Sequence, residues 1–399
     1  MKKICLIVFV ILLLAICPNE GSCQTTLKAG ALIPFTGRWG DSGRECTRGL
    51  LDATRWLNQH GGVFGRKLEI LPIGDTSQPL ETIAAYRKLK ESDHILLLYL
   101  YSTETALAMN SHVHFDRIPT LVSSLPSQFA NPVKYPYLFT LTPTPLDCAK
   151  IAMKFISENS GIKGRKPKVV FISSPDYSDQ HFLVEAKTFS KELGLDLGPD
   201  ISVTDLSSFR DSASADASSS NLSSFLSVIN QYSPDFAYLS LTSREALTVL
   251  QVAQKLNLKT RWICNMKAFN ENLASLNGVF GVQPVAPYGE EVPGMAAIKE
   301  AHQRWHPYDS HTLSYVEGWA TVLVMAEALG ESLPEERLSR ERVKDSLESL
   351  RHFVMGGLFP PITITPADHR PSEESRIFMI KDGKLFRHTG FITIGSEKK

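Results

Sequence analysis

From Leu27 onward, short apolar runs alternate with stretches whose apolar residues recur at the helical period. That alternation restricts the chain to a mostly parallel sheet with helices on both faces, because a strand buried on both sides reads as an unbroken apolar run and its crossover helix as a single stripe. Residues 27–34 read as the first strand and 49–59 as a helix, with Leu50, Ala53, Thr54 and Leu57 on one face and Gly61-Gly62 ending it. Residues 67–73 are predicted as the next strand, 80–90 as a helix, 95–101 as a strand and 103–110 as a helix. A second set begins at strand 169–172 and continues through helix 182–193 and strand 236–239. The Ser-rich stretch 207–220 is poor in apolar residues and reads as a surface insertion. After it, Leu222, Phe225, Leu226 and Ile229 form an amphipathic stripe. No internal period argues for a solenoid or propeller.

A chain of 399 residues exceeds what one ordinary core supports, so two lobes are expected. Lys and Arg total 42 and Asp and Glu also total 42, so no net field draws the protein to nucleic acid or an anionic membrane. Met1-Lys2-Lys3 precedes an apolar run over residues 4–16, then Pro18, Asn19, Glu20 and Gly21. This is the pattern of an export signal, assigned to residues 1–23, and the run is short for a membrane-spanning helix. Lipidation at Cys17 or Cys23 is disfavoured by the large Ile16 before the first and by Glu20 near the second. Of the six cysteines, Cys46, Cys148 and Cys264 remain beyond that segment. Their spacing suits neither zinc nor a redox pair, so buried thiols are expected, with one disulfide permitted by an oxidising compartment.

Several local motifs lead nowhere. Gly40-Asp41-Ser42-Gly43 imitates a serine-protease nucleophile sequence, but it follows the first strand of an α/β pattern with Arg44 next to it. His112 and His114 lack a third ligand at useful spacing and read as surface, so no metal is expected. No glycine-rich nucleotide loop is present, and no cofactor is expected.

The segment Lys28-Ala29-Gly30-Ala31-Leu32-Ile33-Pro34-Phe35-Thr36-Gly37 is followed by Leu57-Asn58-Gln59-His60-Gly61-Gly62-Val63-Phe64-Gly65-Arg66-Lys67-Leu68-Glu69-Ile70, with Asp75 beyond. Together they resemble periplasmic solute-binding proteins of the leucine/isoleucine/valine-binding type, and the likeness extends over most of residues 27–390. The resemblance implies two doubly wound α/β lobes with a ligand cleft between them and three crossover segments, near 141–145, 281–287 and 353–358. On that basis the first lobe comprises residues 24–143 plus 285–354, and the second 144–284 plus 355–399.

Ligands of open α/β sheets bind beyond the carboxyl ends of strands, so residues directly after each strand are the candidates. Ser102 could cap a helix whose free amides favour a carboxylate, and it aligns with the family's carboxylate-binding serine. By resemblance, Ser123 and Ser124 occupy the loop that binds the charged ends of an amino acid. Trp39 and Tyr177 match aromatics that cover the ligand from the first and second lobes. Two departures stand out. The family's amino-acid binders carry a tyrosine where Thr242 falls and an acidic residue where Met266 falls. Met266 cannot balance an ammonium group, so either Glu245 or Asp176 compensates or the ligand is an amide, a urea-like compound or an organic acid.

The resemblance implies an exported, monomeric, non-enzymatic protein that captures a small polar ligand, an amino acid or related compound, for an ABC-type importer by hinge closure in the periplasm. A ligand-sensing receptor module of the same fold is the alternative. The apolar content near Phe391 to Lys399 gives it no spanning segment after the lobes.

Overall fold

The computed structural model describes residues 26–75, 79–174, 181–203, 220–333 and 338–395. In the first lobe β1 (Leu27–Ile33) lies inside a five-stranded sheet ordered β2-β1-β3-β4-β5, formed with β2 (Leu68–Gly74), β3 (Leu97–Leu100), β4 (Thr120–Val122) and β5 (Leu138–Thr140). Every neighbouring pair is parallel. Alternate residues point to opposite faces. Ala29, Ala31, Leu97 and Tyr99 join one core cluster, and Leu32, Leu98 and Leu100 join another on the far side. Both faces are therefore buried, which is why these strands read as continuous apolar runs.

Helix α1 (Gly40–Gln59) covers the first face, while α2 (Pro79–Arg87) and α3 (Thr103–Phe115) cover the second. Helix α1 begins nine residues earlier than the expected 49. Its first turns hold Gly40 and Gly43, which carry no apolar stripe, while Asp41 complements the helix dipole there. Helix α2 passes directly into a π-helical turn, Lys88–Ser92.

The second lobe starts with α4 (Pro145–Asn159), which opens on a capping box between Thr144 and Asp147 with Pro145 in its first turn. Then follow β6 (Lys168–Ser173), α5 (His181–Glu192), β7 (Asp196–Leu197), β8 (Ile201–Ser202), α6 (Ser220–Tyr232), β9 (Phe236–Ser240), α7 (Ser243–Lys255), β10 (Arg261–Cys264) and β11 (Phe280–Gln283). In α6, Phe225 and Ile229 are buried as the stripe predicts; most of the Ser-rich stretch lies outside the described residues. The chain returns to the first lobe for α8 (Met295–Trp305), α9 (Leu313–Glu331) and α10 (Arg340–Glu348). It ends in the second with β12 (Glu374–Lys381), β13 (Lys384–Arg387) and β14 (Ile392–Thr393). The nine-stranded sheet runs β13-β12-β11-β10-β9-β6-β7, with β8 beside β6 and β14 beside β12. Strands β6 to β11 pair in parallel, and β12 adds the antiparallel edge.

The chain passes between lobes in three places. It leaves the first sheet after β5 and returns after β11, where Val285 and Ala286 already pack in the first lobe's core. The third passage lies later than the expected 353–358. Met355, Leu358, Phe359, Ile362 and Ile364 all belong to the first lobe's core, and the buried His369 still bonds Leu138 O through Nδ1 at 2.8 Å. Only beyond it does Arg370 reach Asp147 of α4, at 3.7 Å, before β12 begins. The apolar side chains of this segment are held by the first sheet, and the paired glycines Gly356-Gly357 lie inside the lobe.

Helices α1 and α9 pack backbone against backbone. A Cβ on Gly49 would sit 2.0 Å from Tyr315 O, and one on Gly318 would sit 2.1 Å from Cys46 O. Cys46, Cys148 and Cys264 are free and buried. Among the described residues, no helix is long and apolar enough to cross a membrane.

Candidate functional site

A cavity of about 50 Å³ lies between the lobes. The first lobe presents the carboxyl ends of three adjacent strands to it: Tyr101 after β3, Ser123 after β4 and Thr142 after β5. Thr142 Oγ1 donates to Ser123 O at 2.8 Å, tying two of these loops together. Trp39 comes from the short 3-10 turn Gly37–Trp39 before α1, and Ser314 and Glu317 from the first turns of α9.

The second lobe contributes Met266, Lys267, Phe269 and Asn270 from the loop after β10, and Gln283 from the end of β11. Asn265 starts that loop by accepting the Ala268 amide on its side chain at 2.8 Å. Gln283 Nε2 then donates to Met266 O at 3.3 Å and to Phe269 O at 3.2 Å. The loop is thus held from both sides, and Lys267 points across the cleft.

The charges in the cavity oppose one another. Glu317 is buried on α9 and accepts a hydrogen bond from Ser123 Oγ. Lys267 Nζ lies 3.4 Å from the same Ser123 Oγ, 6.0 Å from the Trp39 ring centre and 5.7 Å from that of Tyr101. The ammonium therefore sits among two aromatic faces and a hydroxyl, beside a carboxylate. Burial, and then the negative field of Glu317, push the Tyr101 hydroxyl well above the usual phenol range, so it stays protonated as a donor. Burial followed by Glu317 does the same to the Cys46 thiol, which is thereby kept unreactive.

Of the residues singled out in the sequence, the fold brings Trp39, Ser123 and Met266 to the cavity. Ser102 lies beside it at the N-cap of α3 and is occupied there: its Oγ accepts the Thr105 amide at 3.0 Å and donates to Thr105 Oγ1 at 2.8 Å. Thr105 in turn donates to the buried Asp75, which also accepts from Thr82 Oγ1 at 2.9 Å. Ser124 is buried, and its carbonyl accepts from Thr103 Oγ1 at 2.9 Å. Thr242 caps α7 in a reciprocal box with Glu245, whose carboxylate accepts both the Thr242 amide at 2.7 Å and its hydroxyl at 2.8 Å. Glu245 is therefore committed to that cap. Tyr177 and Asp176 lie outside the described residues.

Sequence reasoning missed Lys267, Glu317 and Tyr101. A signal for Glu317 existed: it is one acid inside the apolar run from Leu313 to Met325, which a helix buries only for a reason. Lys267 neighbours Met266, and only the geometry of its loop aims it inward.

A family model described as periplasmic binding protein matches residues 26–384. Among solved structures, a branched chain amino acid ABC transporter protein from Thermus thermophilus with bound valine superposes with a TM-score of 0.77 at 19% identity, covering 93% of this chain and 97% of that one. A fatty acid ABC transporter substrate-binding protein from Thermomonospora curvata gives 0.75 at 19% identity, covering 94% of each chain. A solute binding protein from R. palustris in complex with benzoate gives 0.72 at 17% identity, covering 94% of this chain and 98% of its own. Sequence comparison with curated proteins gives no match.

Proposed function

Because this chain belongs to the periplasmic binding protein family, whose model spans residues 26–384, we propose that it captures a small polar solute between its lobes and presents it to an ABC-type import permease. In this reading residues 1–23 direct export, the protein works in the periplasm as a monomer, and it binds its ligand without transforming it. Residues 24–143 with about 285–369 move as one body, and 144–284 with the segment from about 370 onward, which carries β12 to β14, move as the other.

One observation supports the ligand class: the cleft joins a cation from the second lobe, Lys267, to an anion from the first, Glu317, through Ser123. A compact zwitterion such as an α-amino acid complements that pair, its carboxylate facing Lys267 and its ammonium facing Glu317. Glu317 thus replaces, from the other lobe, the acid that Met266 lacks. Ser102, Ser124, Thr242 and Tyr177 are proposed as further contacts, met as the lobes move. A cavity of about 50 Å³ is far below the roughly 300–1,000 Å³ of ordinary ligand pockets, so the ligand enters an opened cleft and closure follows.

The test is calorimetric titration of the mature chain from Gln24 with α-amino acids, their amides and the corresponding deaminated acids. The amino acid is expected to bind best. Glu317→Gln should weaken it by about 1.5–3 kcal/mol while sparing the deaminated acid, and Lys267→Gln should weaken both. Tighter binding of deaminated acids to the unaltered chain would instead assign the ligand to organic acids and leave Lys267 alone as the recognising charge.

A further inference from the structure

On the outer side of the first lobe, α1, α8 and α9 enclose a groove of about 690 Å³ that shares no lining residue with the cleft. Its volume lies within the range of small-molecule sites, roughly 300–1,000 Å³. Four aromatic side chains, Trp56, Trp319, Phe64 and Phe353, line it. Phe64 is 75% exposed on one lip and Val354 55% exposed on another, so large apolar groups face solvent around an already apolar hollow.

Two carboxylates, Glu300 and Glu327, complete the wall, and no Lys or Arg lines the groove. Glu300 accepts the indole N–H of Trp56 at 3.0 Å, which fixes that ring in the wall, with His60 stacked on it at 4.1 Å between ring centres. Among the described residues, no Lys or Arg forms an ion pair with Glu327. Burial, with Glu331 next along the helix, pushes its carboxyl above the usual range, as expected of a carboxylate short of a counter-charge.

Aromatic rings combined with Glu327, which no Lys or Arg among the described residues neutralises, are the chemistry that recognises a hydrophobic cation, and Glu300, 4.0 Å from His60 Nε2, adds a second carboxylate. We propose that this groove is a second binding site, for a small organic monocation with an aromatic or branched alkyl body, such as a quaternary or tertiary amine. The apolar body lies against Trp56, Phe64 and Phe353, with the buried Trp319 behind them, and the charged head lies toward Glu327 and Glu300.

The probe is benzyltrimethylammonium, titrated into the full mature chain by tryptophan fluorescence and calorimetry, with benzyl alcohol as the uncharged control. Saturable binding of one cation per chain is expected, with benzyl alcohol much weaker. Glu327→Gln should weaken the cation roughly tenfold, and Ala296→Trp, a change at an exposed lining position, should abolish binding. Absent saturation, equal affinity for benzyl alcohol, or indifference to Glu327→Gln would overturn the proposal. So would sedimentation showing that the groove is covered by a second copy of the chain and that Ala296→Trp releases monomers. Should Ala296→Trp fail to fold, the Glu327→Gln comparison decides alone.

Discussion

Ser102 shows how far a single position can be read. Its place after a strand and before a helix was visible in the chain, and a serine there serves equally well as helix cap or ligand contact. The distances to Thr105 commit its hydroxyl to the cap and link it to the buried Asp75. Ser102→Ala is therefore expected to destabilise the fold by about 1 kcal/mol, read as a lower midpoint in urea denaturation. An unchanged midpoint would mean that the cap contributes nothing here. The same limit applies to Lys267 and Met266. Adjacent in sequence, they differ in role because Asn265 turns their loop locally while Gln283, distant along the chain, pins it from the other side.

At the scale of elements, the inner strands were legible because burial on both faces leaves few polar residues to break the pattern. Helix α1 was legible only where its stripe begins, since its glycine-bearing first turns carry no hydrophobic period. Its close crossing with α9 was not legible at all: Gly49 and Gly318 look like ordinary helix-weakening glycines until the partner backbone is placed against them. Gly318→Ala should push the two helices apart and destabilise the first lobe by about 1–3 kcal/mol, measured by thermal or urea unfolding. An equally stable variant would show that this crossing has slack. Because α9 also carries Ser314 and Glu317, a shift of the helix should reduce ligand affinity as well.

At the scale of the molecule, the lobes touch through more than the cavity. Glu271, in the 3-10 turn Glu271–Leu273 of the second lobe, accepts the Leu313 amide at 2.8 Å and so caps the first lobe's α9. In the hinge mechanism proposed above, a helix start that takes its acceptor from the other body would favour closure. Burial raises the Glu271 carboxyl above its usual range, so part of this gain is offset by desolvation. Glu271→Ala is expected to shift the equilibrium toward open forms by about 1 kcal/mol, severalfold in population. X-ray scattering should then give a larger radius of gyration without ligand and show compaction only at higher ligand concentration. Identical scattering curves would remove this contact from the closure mechanism.

The sequence by itself determined the two-lobed α/β architecture, the candidate loops at strand ends and the family resemblance, because each is written in local periodicity and short contiguous motifs. The tertiary structure alone decided where the third passage between lobes lies and that Lys267 and Glu317 both reach Ser123 from opposite sides of the cleft. Those depend on residues separated by long stretches of chain, whose distances arise from packing and leave no trace in local order.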